Sequence, residues 1–260
     1  MSRVRRSARR HGTRRHGRLR VGTSGYQYEH WRGLFYPREL PKSRWFAYYA
    51  GHFDTVEINN TFYRLPAPAV FDAWRKAAPP GMIYALKFSR FGTHMKHLRD
   101  PEQPIALFLA RARRLGATLG PILVQLPPRW RVNRERLQGF LAALPRGRRW
   151  AIEFREPTWL CEPVYALLAK HGVALCVHDM LADHPWRLTA DFAYLRFHGT
   201  RYGGSYTRAA LVGYARRIRA WLAQGTDVYA YFNNDAQGHA VRNALDLRRY
   251  LQGAEGRAVA

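Results

Sequence analysis

The chain reads as a single (β/α)8 TIM barrel, and three observations predict it. Short apolar segments alternate with longer segments of helical period from residue 19 to residue 252, the pattern of successive βα units. The 260 residues suit one barrel, which occupies about 250, and neither a Gly/Ser linker nor an internal repeat divides them. Within the short segments, one alternating set of residues is apolar throughout, while the opposite set turns polar toward the C-terminal end. An open sheet covered by helices would be apolar on both faces. One polar face recurring on every strand fits a closed barrel with a polar mouth.

In chain order, strand Leu19–Thr23 leads to a helix over Ser43–Gly51, and Thr55–Asn59 leads to Ala67–Lys76. Ile83–Ser89 precedes a helix over Ile105–Leu115, and Ile122–Leu126 precedes Arg134–Leu144. Trp150–Arg155 precedes Glu162–His171, and Val173–His178 is followed by a link too short for more than a brief helix. Ala193–His198 leads to Arg208–Gln224, and Val228–Asn233 to Ala236–Leu251, with Asp235 placed to cap that last helix. Each helical segment carries apolar residues three and four apart. The outward set runs Val21, Val56, Ile58, Leu86, Val124, Ile152, Leu175, Leu195 and Ala230. The inward set includes Ser24, Glu57, Asn59, Lys87, Gln125, Glu153, Arg155, His178, Arg196, His198 and Asn233.

The net charge is +25, and residues 1–18 supply eight arginines and no acid. They are expected to form a basic tail outside the fold, with 253–260 as a C-terminal tail. Such charge attracts phosphate backbones and other polyanions; a solvated tail in an arginine-rich protein explains it equally well. No apolar run approaches the roughly 20 residues of a membrane helix, and no apolar stretch follows the basic start as in a secretory signal. Two cysteines, Cys161 and Cys176, argue against a disulfide scaffold. A cytoplasmic protein with no membrane association is expected, of open oligomeric state.

The segments GTSGYQYEHWRGLFYP (22–37), VEINNTFYRLP (56–66), LVQLPP (123–128), EFREPTW (153–159), YLRFHG (194–199) and VYAYFNND (228–235) closely resemble, in order and spacing, the "domain of unknown function 72" (YecE-like) family. The resemblance covers residues 19–252. It implies a TIM barrel and brings no settled activity. The chain departs from it in one loop: where the family usually has His and Ser in its fifth-strand motif, this chain has Glu156 and Thr158. A proton or ligand supplied there by His must come from Glu156 or be dispensed with.

Glu57, Glu153 and His198 are the candidate acid/base residues. Lys87, Arg155 and Arg196, with Ser24, Tyr26, Trp31, Asn59, Gln125 and Asn233, are the candidate binding residues, the cations anchoring an anion. The same charges read equally as buried ion pairs filling the barrel, since burying a charge is costly unless it is paired. Glu57 and Glu153 stand on non-neighbouring strands, a placement that does not favour the carboxyl pair of a glycosidase. His178, Asp179, His198, Glu57 and Glu153 have metal-ligand chemistry, but no compact spacing supports a site and Lys87 and Arg196 would repel a cation. Strand alternation turns Asp179 away from the mouth. His94 and His97, on the third βα loop, add donors of the same kind. No metal is assigned, and no motif identifies a cofactor. Gly22 and Gly25 let backbone approach a ligand or simply make a tight turn. The aromatics Tyr26, Tyr28, Trp31, Phe35, Tyr36, Phe62, Tyr63 and Trp159 either stack on a ligand or form a lid. The expected function is an enzyme, hydrolase-like, acting on an anionic small molecule, a nucleotide or nucleic acid. The alternative is a non-catalytic barrel that binds a ligand or nucleic acid.

Overall fold

The computed structural model describes residues 15–200 and 203–253. Eight parallel strands close in sequence order, β1 through β8. They are β1 Leu19–Ser24, β2 Thr55–Ile58, β3 Ile83–Lys87, β4 Leu119–Gln125, β5 Trp150–Glu153, β6 Ala174–His178, β7 Phe192–Phe197 and β8 Asp227–Phe232. The helices are α1 Trp45–Ala50, α2 Asn60–Tyr63, α3 Pro68–Ala77, α4 Glu102–Ala112, α5 Arg134–Ala143, α6 Glu162–Lys170, α7 Arg208–Ala223 and α8 His239–Gln252. Among the described residues no helix joins β6 to β7, and none is long and apolar enough to cross a membrane.

All eight predicted strands are present. β4 begins earlier than Ile122, because the register against β3 shifts between Tyr84 and Leu86. Leu119, Gly120 and Pro121 lie inside the strand. The short helix α2 is an addition, and it carries Phe62 to the mouth. Asp235 does not cap α8: it precedes a 3-10 turn, Ala236–Gly238, and makes no side-chain cap.

The two strand faces bury into separate cores, as the alternation predicts. Val21, Val56, Leu86, Val124, Ile152, Leu195 and Ala230 join the large cluster shared with the helices. Inside the barrel, Ala85, Leu123, Ala151, Ala174 and Cys176 pack with Phe192, Tyr194 and Tyr231. Small residues on β3, β5 and β6 thus face large aromatics on β7 and β8. Gly22 on β1 is required by close approach, since a Cβ there would lie 2.2 Å from the Thr55 carbonyl oxygen. The lower barrel is therefore dry, and the polar residues gather above it.

Residues 1–14 lie outside the described residues, but the end of the expected tail belongs to the barrel. Arg15 pairs with Asp227 at 2.7 Å. The Arg18 amide donates to the same carboxylate at 2.8 Å, and the Arg18 carbonyl accepts from Val228 at 2.8 Å. Gly17 donates to the Leu222 carbonyl at 2.8 Å. Charge composition marked these residues as solvated; it carries no information about backbone bonds to β8. A chain starting at residue 19 should therefore be about 1–3 kcal/mol less stable than one starting at residue 15, because Asp227 and Val228 lose buried partners. Urea melts of the two truncations test this, and equal midpoints would contradict it.

Candidate functional site

The polar layer is organised around Arg196, at the end of β7 and 1% exposed. Its Nε donates to both Glu57 oxygens at 3.2 and 3.1 Å, and its Nη2 to Glu57 Oε1 at 2.9 Å. Its Nη1 donates to Glu153 Oε2 at 2.7 Å. One guanidinium thus stands between two fully buried carboxylates, each brought inward by strand alternation. Glu57 also accepts from Ser24 and, at 2.6 Å, from the Tyr194 hydroxyl. Ser24 Oγ in turn accepts from Asn59 Nδ2 at 2.7 Å and Arg196 Nη2 at 3.2 Å. Glu153 is paired a second time by Arg155, whose Nη2 donates to Gln125 Oε1 at 3.3 Å and whose Nη1 meets Met180.

These contacts decide the protonation states. Burial alone would raise Glu57, but Arg196, assisted by Ser24 and Tyr194, holds it below the usual carboxylate range. Burial likewise opposes ionisation of Glu153, and Arg196 with Arg155 outweighs it further. Both are anions with their lone pairs directed at donors.

His198 is 6% exposed. Its backbone amide donates to Asp179 Oδ1 at 2.9 Å, and its Nδ1 lies 3.1 Å from the same oxygen. A carboxylate at Nδ1 favours the Nδ1–H tautomer, which leaves Nε2 to accept from Arg196 at 3.2 Å and Arg155 at 3.3 Å. Burial keeps this imidazole below its ordinary value, against the Asp179 bond. His178 is equally committed: Nε2 lies 2.7 Å from the Phe154 carbonyl and Nδ1 accepts from the Met180 amide at 3.2 Å. Burial lowers it to about 4.

Lys87 differs from all of these. It ends β3, 7% exposed, with its ammonium 4.2 Å from the centre of the Phe62 ring. Its carbonyl accepts from Thr61 Oγ1 at 2.7 Å, but among the described residues its ammonium has neither a hydrogen bond nor an ion pair. Burial, then the charge of Arg196, lowers it to about 8, against the pull of Glu153 and Glu57. Two carboxylates meet two guanidiniums, and the lysine is left over.

Several expectations change. Arg196 and Glu57 lie inside the network and present no free group to a ligand. Trp31 is fully buried, donating through Nε1 to the Asp235 carbonyl at 2.9 Å, so it ties the first loop to the last. Tyr26 packs against Phe46 and Tyr49. The lid reading of the aromatics holds for Trp31, for Tyr36, which stacks on Trp45 at 4.5 Å, and for Trp159 on Phe154. Tyr63 remains 69% exposed. Asp179 does reach the mouth, because it lies beyond the end of β6, where alternation no longer applies. Asn233 and Gln125 are half-buried at the strand ends. The Asn59 side-chain oxygen is buried and unpartnered. Glu156 accepts from the Thr158 amide at 3.0 Å and from its hydroxyl, so the two departures from the usual family loop are bonded to each other. Among the described residues no cluster of three metal-ligating side chains occurs. Sequence reasoning missed Tyr194, two residues before Arg196 on the same face; it named Phe62 among the loop aromatics but not its place against the Lys87 ammonium.

Fold and site together define a (β/α)8 barrel with an arginine-centred charged mouth. The chain belongs to the family described as protein of unknown function DUF72, whose model matches residues 20–259. It is 31% identical to the UPF0759 protein YecE of Escherichia coli K12 over 115 residues, which is 44% of this chain and 42% of YecE. The crystal structure of a DUF72 family protein from Thermotoga maritima MSB8 superposes with a TM-score of 0.82 at 28% identity, covering 90% of this chain and 99% of that one. A DUF72 family protein from Enterococcus faecalis V583 gives 0.74 at 20% identity, over 92% and 99%. An L-ribulose 3-epimerase gives 0.54 at 14% identity, over 93% and 98%, a likeness of fold alone.

Arg196→Met should cost about 3–5 kcal/mol, because it strands buried carboxylates. Glu57 has no other cation partner among the described residues, whereas Glu153 keeps Arg155. A second change, Glu57→Gln, should therefore restore more stability in urea melts than Glu153→Gln. The reverse order would contradict the pairing described. The stability carried by both carboxylates is full above the ordinary value of 4.5 and is lost as pH falls through their lowered folded values.

Proposed function

We propose that the mouth is the active site of an enzyme acting on a small anionic molecule, with Lys87 as the group that meets it. The observation carrying this reading is that the Lys87 ammonium has no carboxylate in contact. Among the described residues Glu57 and Glu153 are bound by Arg196 and Arg155, and Asp179 by His198 and Tyr206, so no acid of the mouth is left to pair with it. A buried charge without a partner is costly, and an anionic ligand supplies the missing partner. The low-dielectric walls strengthen that attraction. Arg155, Gln125, Asn59 and Asn233, which follow or end β5, β4, β2 and β8, support binding of a polar ligand. The net charge of +25 favours approach of anions over long range; it speaks to the sign of the ligand rather than its size. Hydrolysis led by Glu57, Glu153 or His198 is not part of this reading. Their acceptor positions are directed at guanidinium, hydroxyl and thiol donors.

Sulfate keeps its charge across the relevant pH range and is the suitable probe. At pH 7 the protein should bind sulfate, measured by calorimetry, and Lys87→Met should weaken binding at least tenfold while Lys87→Arg retains it. Lys170→Met, which removes the same unit of charge elsewhere, should have little effect. Affinity should fall as pH rises through about 8, as Lys87 loses its proton. Lys87→Met is expected to stay folded, because the folded state resists protonation of Lys87. The lysine's contribution to stability is full above 10.5 and is lost as pH falls through about 8. Equal sulfate affinity in Lys87→Met and the parent would overturn the reading.

A further inference from the structure

We propose that Lys87 Nζ is a nucleophile that forms an imine with the carbonyl group of its substrate, an aldehyde or ketone bearing a carboxylate or phosphate. This rests on the mouth being an anion site and names the substrate class and the bond made there.

The geometry supplies the conditions an amine nucleophile needs. Lys87 is held at the C-terminal end of β3, where a barrel presents its chemistry. The aromatic face of Phe62 is its floor, and no carboxylate ion-pairs with it among the described residues. The charged and titratable groups around it are Glu57 from β2, Glu153 and Arg155 from β5 and its loop, Arg196 from β7, and His94 from the turn after β3. Both carboxylates are already bound to guanidiniums. A lysine that is desolvated and set beside other cations is activated because its neutral form is favoured. With the amine brought to about 8 from 10.5, roughly one molecule in ten carries a neutral Lys87 at pH 7, against about one in three thousand for an ordinary lysine. His94 packs edge-on against the same Phe62 ring at 5.0 Å. Burial, then the charge of Lys87, holds it neutral, near 4. It is a neutral imidazole beside the same ring, with Nδ1 2.9 Å from Thr93 Oγ1.

The step balances without a co-reactant. The Nζ lone pair attacks the carbonyl carbon, the carbonyl π electrons move to oxygen, and that oxygen takes a proton to give a carbinolamine. The C–O bond then breaks, the hydroxyl leaves as water with a second proton, and the C=N bond forms. Amine and carbonyl become imine and water, with no change of oxidation state. A protonated imine keeps the positive charge at Nζ. Nζ therefore still has no ion-pair partner among the described residues after the bond has formed, and a substrate carrying its own anionic group provides one. A neutral carbonyl compound does not.

Glyoxylate and glycolaldehyde are small aldehydes that differ in that anionic group. Each is incubated with the full chain at pH 7.5 and sodium cyanoborohydride, and the lysines are mapped by peptide mass. Glyoxylate should modify Lys87 at least tenfold faster than Lys42, Lys76, Lys96 or Lys170, and glycolaldehyde should show a much smaller preference. Sulfate should protect Lys87 alone, and in Lys87→Arg the remaining lysines should react as before. If sulfate binds through Lys87 yet glyoxylate modifies Lys87 no faster than the other four, the imine proposal is overturned and the anion site stands. If Lys87 reacts fast with both aldehydes and sulfate does not protect it, the anionic substrate class is overturned, and the anion site with it.

Discussion

The guanidinium of Arg196, fully enclosed between Glu57 and Glu153, is the interaction on which the mouth of this barrel depends. Without it Glu57 would be a buried carboxylate with no ion-pair partner and Glu153 would keep only Arg155, and without their ionisation the arginine would be an uncompensated buried charge. Arginine rather than lysine suits this position, because its planar fork reaches two acceptors in different directions at once. Nε and Nη2 serve Glu57 while Nη1 serves Glu153. The layer below it is dry, built of alanines facing Tyr194 and Tyr231. Tyr194 links the two layers, packing in the lower one and donating its hydroxyl to Glu57. Cys176, on the same level, is kept a neutral thiol by burial and the neighbouring Glu153.

From this saturation follows the singularity of Lys87. Groups that look like acid/base chemistry in isolation, the two glutamates and His198, are turned into a scaffold by their mutual bonds. The scaffold then acts on the lysine electrostatically. Burial disfavours its ammonium form most, Arg196 adds to that effect while Glu153 and Glu57 oppose it, and Phe62 stands against one face. A structural ion-pair network and a reactive amine are therefore parts of one arrangement.

Much of this was legible in the sequence, for reasons that can be named. Strand alternation has a period of two, so one polar residue such as Glu57 or Lys87 fixes which face of its strand looks inward, and every strand of the barrel agrees. Facing is all that alternation reports. It places Glu57, Glu153, Lys87 and Arg196 in one mouth without saying that Arg196 takes both carboxylates and leaves the lysine alone. Beyond the strand ends the period lapses, and with it the reading of Asp179, which bends back to His198. Aromatic residues beside a glycine-rich turn carry no pattern that separates a lid from a stacking surface; Trp31 and Tyr26 pack inward, whereas Tyr63 stays exposed. Arg15 and Arg18 read as solvated charge, while their roles depend on Asp227 and on backbone groups that composition cannot reveal.

The central claim, that Lys87 is a buried cation without a counter-charge, is tested most directly by following its Nζ through a pH titration by NMR, with Lys87→Arg to assign the signal. The account predicts a midpoint near 8 that moves upward when sulfate is added, since a bound anion stabilises the ammonium form. A midpoint near 10.5 that does not respond to sulfate would contradict it.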